Sequence, residues 1–198
     1  KWGLWVHGYD DDNDDYKDRC CQFGWARMTS QRTSIEFWGR GNGWVVMALA
    51  DALNTVPPKS LYFRVFATEL KEITKNLPKL QDKKSGLWFQ LPIYPNDPAN
   101  FIESSCSAMF AYGITIGLEK KVLKQKTFLP VIEKAYAGLQ KNATRSDGKY
   151  LIPTRVCEGT CIGDKAYYFG RKTKEGVNYA IGSYIMFYLE YEKFYNTV

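Results

Sequence analysis

Histidine is nearly missing from this chain of 198 residues, where His7 is the only one. Imidazole is a common zinc ligand. The five cysteines, Cys20, Cys21, Cys106, Cys157 and Cys161, have no spacing that completes a tetrahedral set with it. No metal and no cofactor is expected. The odd cysteine count favours free thiols, and a Cys157–Cys161 disulfide would need an oxidising compartment. No apolar run reaches membrane-spanning length, so no membrane partner is expected. A basic block is missing too. The net charge of +6 comes from scattered lysines and arginines, which gives no footprint for nucleic acid. An initiating methionine is also absent: the chain enters at Lys1 on the aromatic segment "KWGLWVHGYD". The expectation is a single unit over 1–198 whose N-terminal part lies before Lys1.

Aromatic residues and glycine are plentiful, with 6 Trp, 14 Tyr, 11 Phe and 16 Gly. They gather in short stretches between helical patterns. Apolar spacing predicts helices over 41–55, 60–77, 101–118, 128–142 and 178–194. Pro57-Pro58 stops the first, Ser60 is placed to cap the second, and Pro78 ends or kinks it. Pro130 falls in the first turn of the fourth, where proline is tolerated. The helices at 41–55, 101–118 and 178–194 are rich in small residues, the last two apolar on most faces. Those at 60–77 and 128–142 are more amphipathic.

An internal repeat accompanies this alternation. "SGLWFQ" at 85–90 resembles "WGLWVH" at 2–7, and "DGKYLI" at 147–152 reads as a degenerate third copy. Each is followed by a loop and a helix rich in small residues. Inner helices alternating with outer ones, in repeated hairpins, describe an all-α protein of the α/α toroid type, with a helical solenoid as the alternative. Five helices make an open arc. The inner helices 101–118 and 178–194 would then expose apolar surface unless the rest of the barrel or another chain covers them.

The stretch "EFWGRGNGWVVMALADAL" at 36–53 crowds Trp38, Arg40 and Trp44 around three glycines. Arg40 and Trp44 share one face of the first helical turn. Flat rings beside a guanidinium suit a sugar acid, since rings stack on the sugar and the fork of donors matches a carboxylate. The alternative reading is packing, with both tryptophans as core anchors.

Four ordered segments carry a resemblance: "GLWVHGYD" (3–10), "EFWGRGNGWVVMALADAL" (36–53), "GLWFQ" with "NFIESSCSAMFAYGI" (86–114), and "TRVCEGTCIGDKAYYFGR" (154–171). Together they resemble the C-terminal half of the unsaturated rhamnogalacturonyl hydrolases, glycoside hydrolase family 105. The unsaturated glucuronyl hydrolases of family 88 are more distant relatives. The resemblance implies a six-hairpin α/α barrel of which this chain is roughly half. It also implies a substrate, an oligosaccharide bearing a 4,5-unsaturated uronic acid at its non-reducing end. In that family an aspartate protonates the double bond, water adds at C5, and the hemiketal collapses to release the remaining sugar.

The resemblance gives His7 a supporting catalytic role. It places Trp38, Arg40 and Trp44 at the uronate subsite, and the catalytic aspartate upstream of Lys1. Asp10 and the acidic run at 10–15 read as structural or solvated, and Glu103 as a helix-dipole partner. The last helix departs from the family pattern: Val177-Asn178-Tyr179-Ala180 stands where an Asp and a His usually precede a "GVGAF"-like run. A non-catalytic relative, serving as a binding or structural module, is therefore the competing reading. If Arg40 forks onto the uronate, Arg40→Lys should weaken transition-state binding by about 1.5–3 kcal/mol, read from kcat/KM, and leave stability little changed.

Overall fold

The computed structural model describes residues 2–11 and 24–197. Cys20, Cys21 and most of the acidic run at 10–15 lie outside the described residues. The protein is all-α apart from short β ribbons. Helix α1 spans Gly39–Thr55, α2 Leu61–Thr74, α3 Leu77–Leu80, α4 Ser104–Glu119, α5 Gln125–Asn142, α6 Lys165–Phe169 and α7 Asn178–Thr197. Strands β1 (Thr144–Ser146) and β2 (Leu151–Pro153) form one antiparallel ribbon. Strands β3 (Val156–Cys157) and β4 (Thr173–Lys174) form another. No helix among the described residues is long and apolar enough to cross a membrane.

Local chemistry sets the helix ends. The Ser60 hydroxyl accepts from the Phe63 amide at 3.0 Å and starts α2. The Glu103 carboxylate accepts from the Cys106 amide at 2.7 Å and starts α4. Pro78 sits in the first turn of the separate short helix α3 rather than kinking a long one. Helix α5 begins at Gln125, earlier than apolar spacing indicates, because its first turn is polar and exposed. Pro130 therefore lies in the second turn, where water can take the carbonyl that it leaves unpaired.

Helix α4 is the centre of the arc. Every residue from Ser104 to Leu118 is buried, with α1 on one flank, α7 on the other, and α2 and α5 outside. Small residues make this possible. A Cβ on Gly43 would lie 2.8 Å from Met109 Sδ, and one on Gly113 only 2.2 Å from Val46. The α1–α4 crossing is thus closer than side chains at these positions allow. Inner α1, α4 and α7 against outer α2 and α5 make up an arc of an α/α toroid.

The bare apolar surface lies at the two ends of this arc. Ile181, Ile185 and Leu189 are exposed along one side of α7, and Trp44, Leu61, Tyr62 and Val65 along the α1–α2 edge. The expectation of exposure therefore holds for the last helix and not for 101–118. That helix is covered because it has neighbours on both flanks.

The repeat is real for two copies. Gly3 (φ +77°) and Gly86 (φ +74°) both press against an outer helix: a Cβ would meet the Glu72 carbonyl oxygen of α2 at 2.2 Å and the Lys134 carbonyl oxygen of α5 at 2.4 Å. Gly148 (φ +92°) has open space around it at the β1–β2 turn, so the third copy is a hairpin turn and not a structural repeat. Gly86→Ala should accordingly destabilise the chain by about 2 kcal/mol or more in urea denaturation, from left-handed strain plus the clash. Gly148→Ala should cost only the strain, and equal losses would refute this assignment.

Candidate functional site

Asn42 organises the site. Its side-chain oxygen accepts from the Trp5 amide at 2.7 Å, and its amide group donates to the Trp5 carbonyl at 2.9 Å and the Trp38 carbonyl at 3.0 Å. This clips the extended segment around Trp5 onto the first turn of α1. His7, two residues on, comes to rest over that turn. A Cβ on Gly41 would lie 3.2 Å from the Trp38 ring and 3.4 Å from His7 Cδ2, so glycine leaves the seat for both rings. The three glycines of "GRGNG" thus have distinct tasks. Gly39 and Gly43 let α4 approach, and Gly41 lets His7 and Trp38 approach.

The His7 and Trp38 rings lie 4.5 Å apart, centroid to centroid. His7 Nδ1 shares a 2.6 Å hydrogen bond with the Tyr168 hydroxyl, and among the described residues its Nε2 makes none. Burial, reinforced by the positive charge of Arg40, lowers the His7 pKa to about 4. The imidazole is therefore neutral near pH 7. Burial raises the Tyr168 hydroxyl pKa, which keeps its proton in place. The indole nitrogen of Trp38 is buried with no hydrogen-bond partner. A donor in that state is uncommon.

Arg40 is buried beneath this cluster. Its guanidinium donates to the Cys157 carbonyl at 2.7 Å and the Glu158 carbonyl at 2.9 Å, and it meets Glu103 Oε1 at 3.4 Å. It lies 4.6 Å from the Trp38 ring centre and 4.3 Å from that of Tyr179. Much of its hydrogen-bonding capacity is thus used inside the protein. Trp44, one turn along α1, is half-exposed and makes no ring contact with these residues. Trp5 is half-exposed as well. The structure thus brings together His7, Trp38 and Arg40 and sets Trp44 apart along the inner helix.

Other polar residues have structural work. Glu103 is fully buried and accepts from Ser105, from the Cys106 amide and from the Cys157 amide at 2.9 Å, in addition to Arg40. Glu36 is buried beside Tyr94, and burial raises its pKa. Asp10 is buried near the bridge between Tyr9 and Thr33. Cys106, Cys157 and Cys161 are free thiols. Burial together with the nearby Glu103 charge pushes the Cys157 thiol up to about 12, so it is not a nucleophile at neutral pH. Among the described residues, no three His, Cys, Asp or Glu side chains converge to hold a metal ion. Sequence reasoning missed Trp5, Tyr168 and Tyr179. All three stand in or beside the aromatic stretches, but only the fold shows that they meet α1.

Alternating inner and outer helices, with a tryptophan–histidine–arginine cluster at one mouth, define a protein of the α/α toroid class. The chain belongs to Glycosyl Hydrolase Family 88, whose profile matches residues 1–195. It is 36% identical over 115 residues to Protein Atu3128 of Agrobacterium fabrum, which spans 57% of this chain and 43% of that protein. It is 28% identical over 156 residues to the unsaturated rhamnogalacturonyl hydrolase YesR of Bacillus subtilis, covering 79% of this chain and 41% of that one. The solved structure of a family 105 glycoside hydrolase from C. acetobutylicum superposes with a TM-score of 0.84 at 25% identity, covering 98% of this chain and 53% of that one. The chain thus spans about half the length of these relatives.

Two measurements test this geometry. Only 3% exposed and with its guanidinium bound to two carbonyls, Arg40 supports the fold, contrary to the expectation of unchanged stability. Arg40→Lys should destabilise by about 3 kcal/mol in urea denaturation. A loss under about 0.5 kcal/mol, in the range of a surface substitution, would show the guanidinium to be dispensable to the fold. The His7 resonances should titrate with a midpoint near 4 in NMR. The unfolded imidazole holds its proton up to about 6.5 and the folded one only up to about 4. Between those values the unfolded chain binds more protons, so this group's contribution to stability rises with pH. A midpoint at 6.5 would contradict the buried placement.

Proposed function

We propose that this chain is the C-terminal part of a glycosidase that removes a 4,5-unsaturated uronic acid from the non-reducing end of lyase-generated oligosaccharides. The observation that carries this reading is a neutral His7 held on Tyr168 at 2.6 Å and against the Trp38 ring at 4.5 Å, in a chain of family 88. The rhamnogalacturonyl hydrolase among its relatives supports the substrate class. In this reading His7 Nε2 binds a ring oxygen or the attacking water beside the Trp38 ring. The exposed faces of Trp5 and Trp44 form the wall along which the sugar lies.

Arg40 contributes a positive charge under Trp38, which favours a bound carboxylate while holding the wall in place. A general acid is still required, and among the described residues Glu103 cannot serve because hydrogen bonds occupy both its oxygens. The acid is assigned to an aspartate in the part of the barrel preceding Lys1. That aspartate protonates C4 of the double bond, water attacks C5 and gives its proton back, and the hemiketal opens to release the saccharide.

The competing reading is a relative that binds sugar without cleaving it. It draws on Tyr179, whose hydroxyl donates to the Cys157 carbonyl at 2.6 Å and whose ring covers Arg40. The last inner helix thereby presents a structural residue near the site. One assay decides between the two. The full-length gene product is incubated with lyase-generated oligosaccharides and the ultraviolet absorbance of the double bond is followed. Loss of absorbance is expected, and saturable binding without loss would establish the second reading. His7→Phe keeps a ring and removes the nitrogens. It should lower kcat/KM about tenfold, the worth of one hydrogen bond to substrate, and an unchanged value would remove His7 from the site.

A further inference from the structure

Two residues before Cys157, whose carbonyl holds Arg40, Arg155 adopts φ +56°. A non-glycine residue rarely takes this conformation, and it persists only where its surroundings impose it. Here they do. The Ser104 amide donates to the Arg155 carbonyl at 3.1 Å, the Ser104 hydroxyl to the Thr154 carbonyl at 2.6 Å, and the Thr154 amide to the Ala143 carbonyl at 2.8 Å. The exposed side chain of Arg155 stands where two hollows of about 480 Å³ and about 170 Å³ meet.

Lys174 lines one hollow and Lys84 the other. Among the described residues, neither these lysines nor Arg155 takes part in an ion pair. The neighbouring carboxylates make their closest contacts elsewhere, Glu175 with Arg145 at 2.6 Å, Glu158 with Arg171 at 3.0 Å and Asp82 with Ser85, while Lys84 also acts on Asp82 and Lys174 on Glu158 through space. Phe101 adds an aromatic flank. Three cations, of which Arg155 is a fork of donors outside any ion pair, beside a ring and hydroxyl-bearing residues suit a sugar that carries a carboxylate.

We propose that this groove binds a second acidic sugar, further along the chain than the terminal ring. Its place on a substrate rests on the hydrolase reading, but the binding itself does not. The test uses the full-length protein and a saturated oligogalacturonate, which lacks the double bond and cannot be turned over, against a neutral oligosaccharide of equal length. Affinity is measured by titration calorimetry. Arg155→Gly is the variant of choice because glycine accepts this backbone conformation, so the fold is retained.

The expected result is binding of the acidic saccharide that weakens with salt and falls about three- to tenfold in Arg155→Gly. The neutral saccharide should be unaffected, and cleavage of an unsaturated disaccharide should be unchanged. Equal affinity in Arg155→Gly, or equal affinity for the neutral saccharide, overturns the proposal. Absence of cleavage by the unsubstituted protein, with this binding present, would count against the hydrolase reading alone.

Discussion

The buried guanidinium of Arg40 joins parts of the chain that are remote in sequence. It extends from the first turn of α1 to the cap of α4 through Glu103, and to β3 through the Cys157 carbonyl. Moving a charge out of water costs several kcal/mol, and only a well-formed set of partners offsets this. The arrangement is therefore stable only when α1, α4 and the ribbon are all in place. The Trp38 ring lies on the same guanidinium, so the wall of the candidate site is set by a folding constraint.

A second constraint is the closeness of the inner helices. The α1–α4 crossing relies on Gly43 and Gly113, and the seat of His7 on Gly41. Glycine within a helix costs up to about 1 kcal/mol against alanine. The chain accepts that cost where α4 and His7 must approach α1. The tryptophans, the arginine and the glycines crowd one stretch because three surfaces meet on a single helical turn: the core through Gly39 and Gly43, the His7 segment through Gly41 and Asn42, and the β3 ribbon through Arg40.

The arc also has an energetic asymmetry. Its centre, α4, buries all its sides, whereas α7 and the α1–α2 edge leave large apolar side chains in water. Exposed apolar faces in rows of this kind mark surfaces made for contact.

The sequence by itself determined the all-α class, the inner and outer character of the five principal helices, and the cluster of His7, Trp38 and Arg40. These rest on local periodicity and on ordered motifs, and both are written along the chain. It also signalled the paired glycines Gly3 and Gly86, because a positive φ beside an outer helix admits little else. Tertiary structure alone decided that Arg40 is consumed within the protein, that Tyr168 meets His7 across 161 residues, and that 101–118 is sealed while α7 is bare. Hydrogen bonds and burial of this kind depend on which segments come together in space, and the spacing of residues along one segment carries no record of its distant partner.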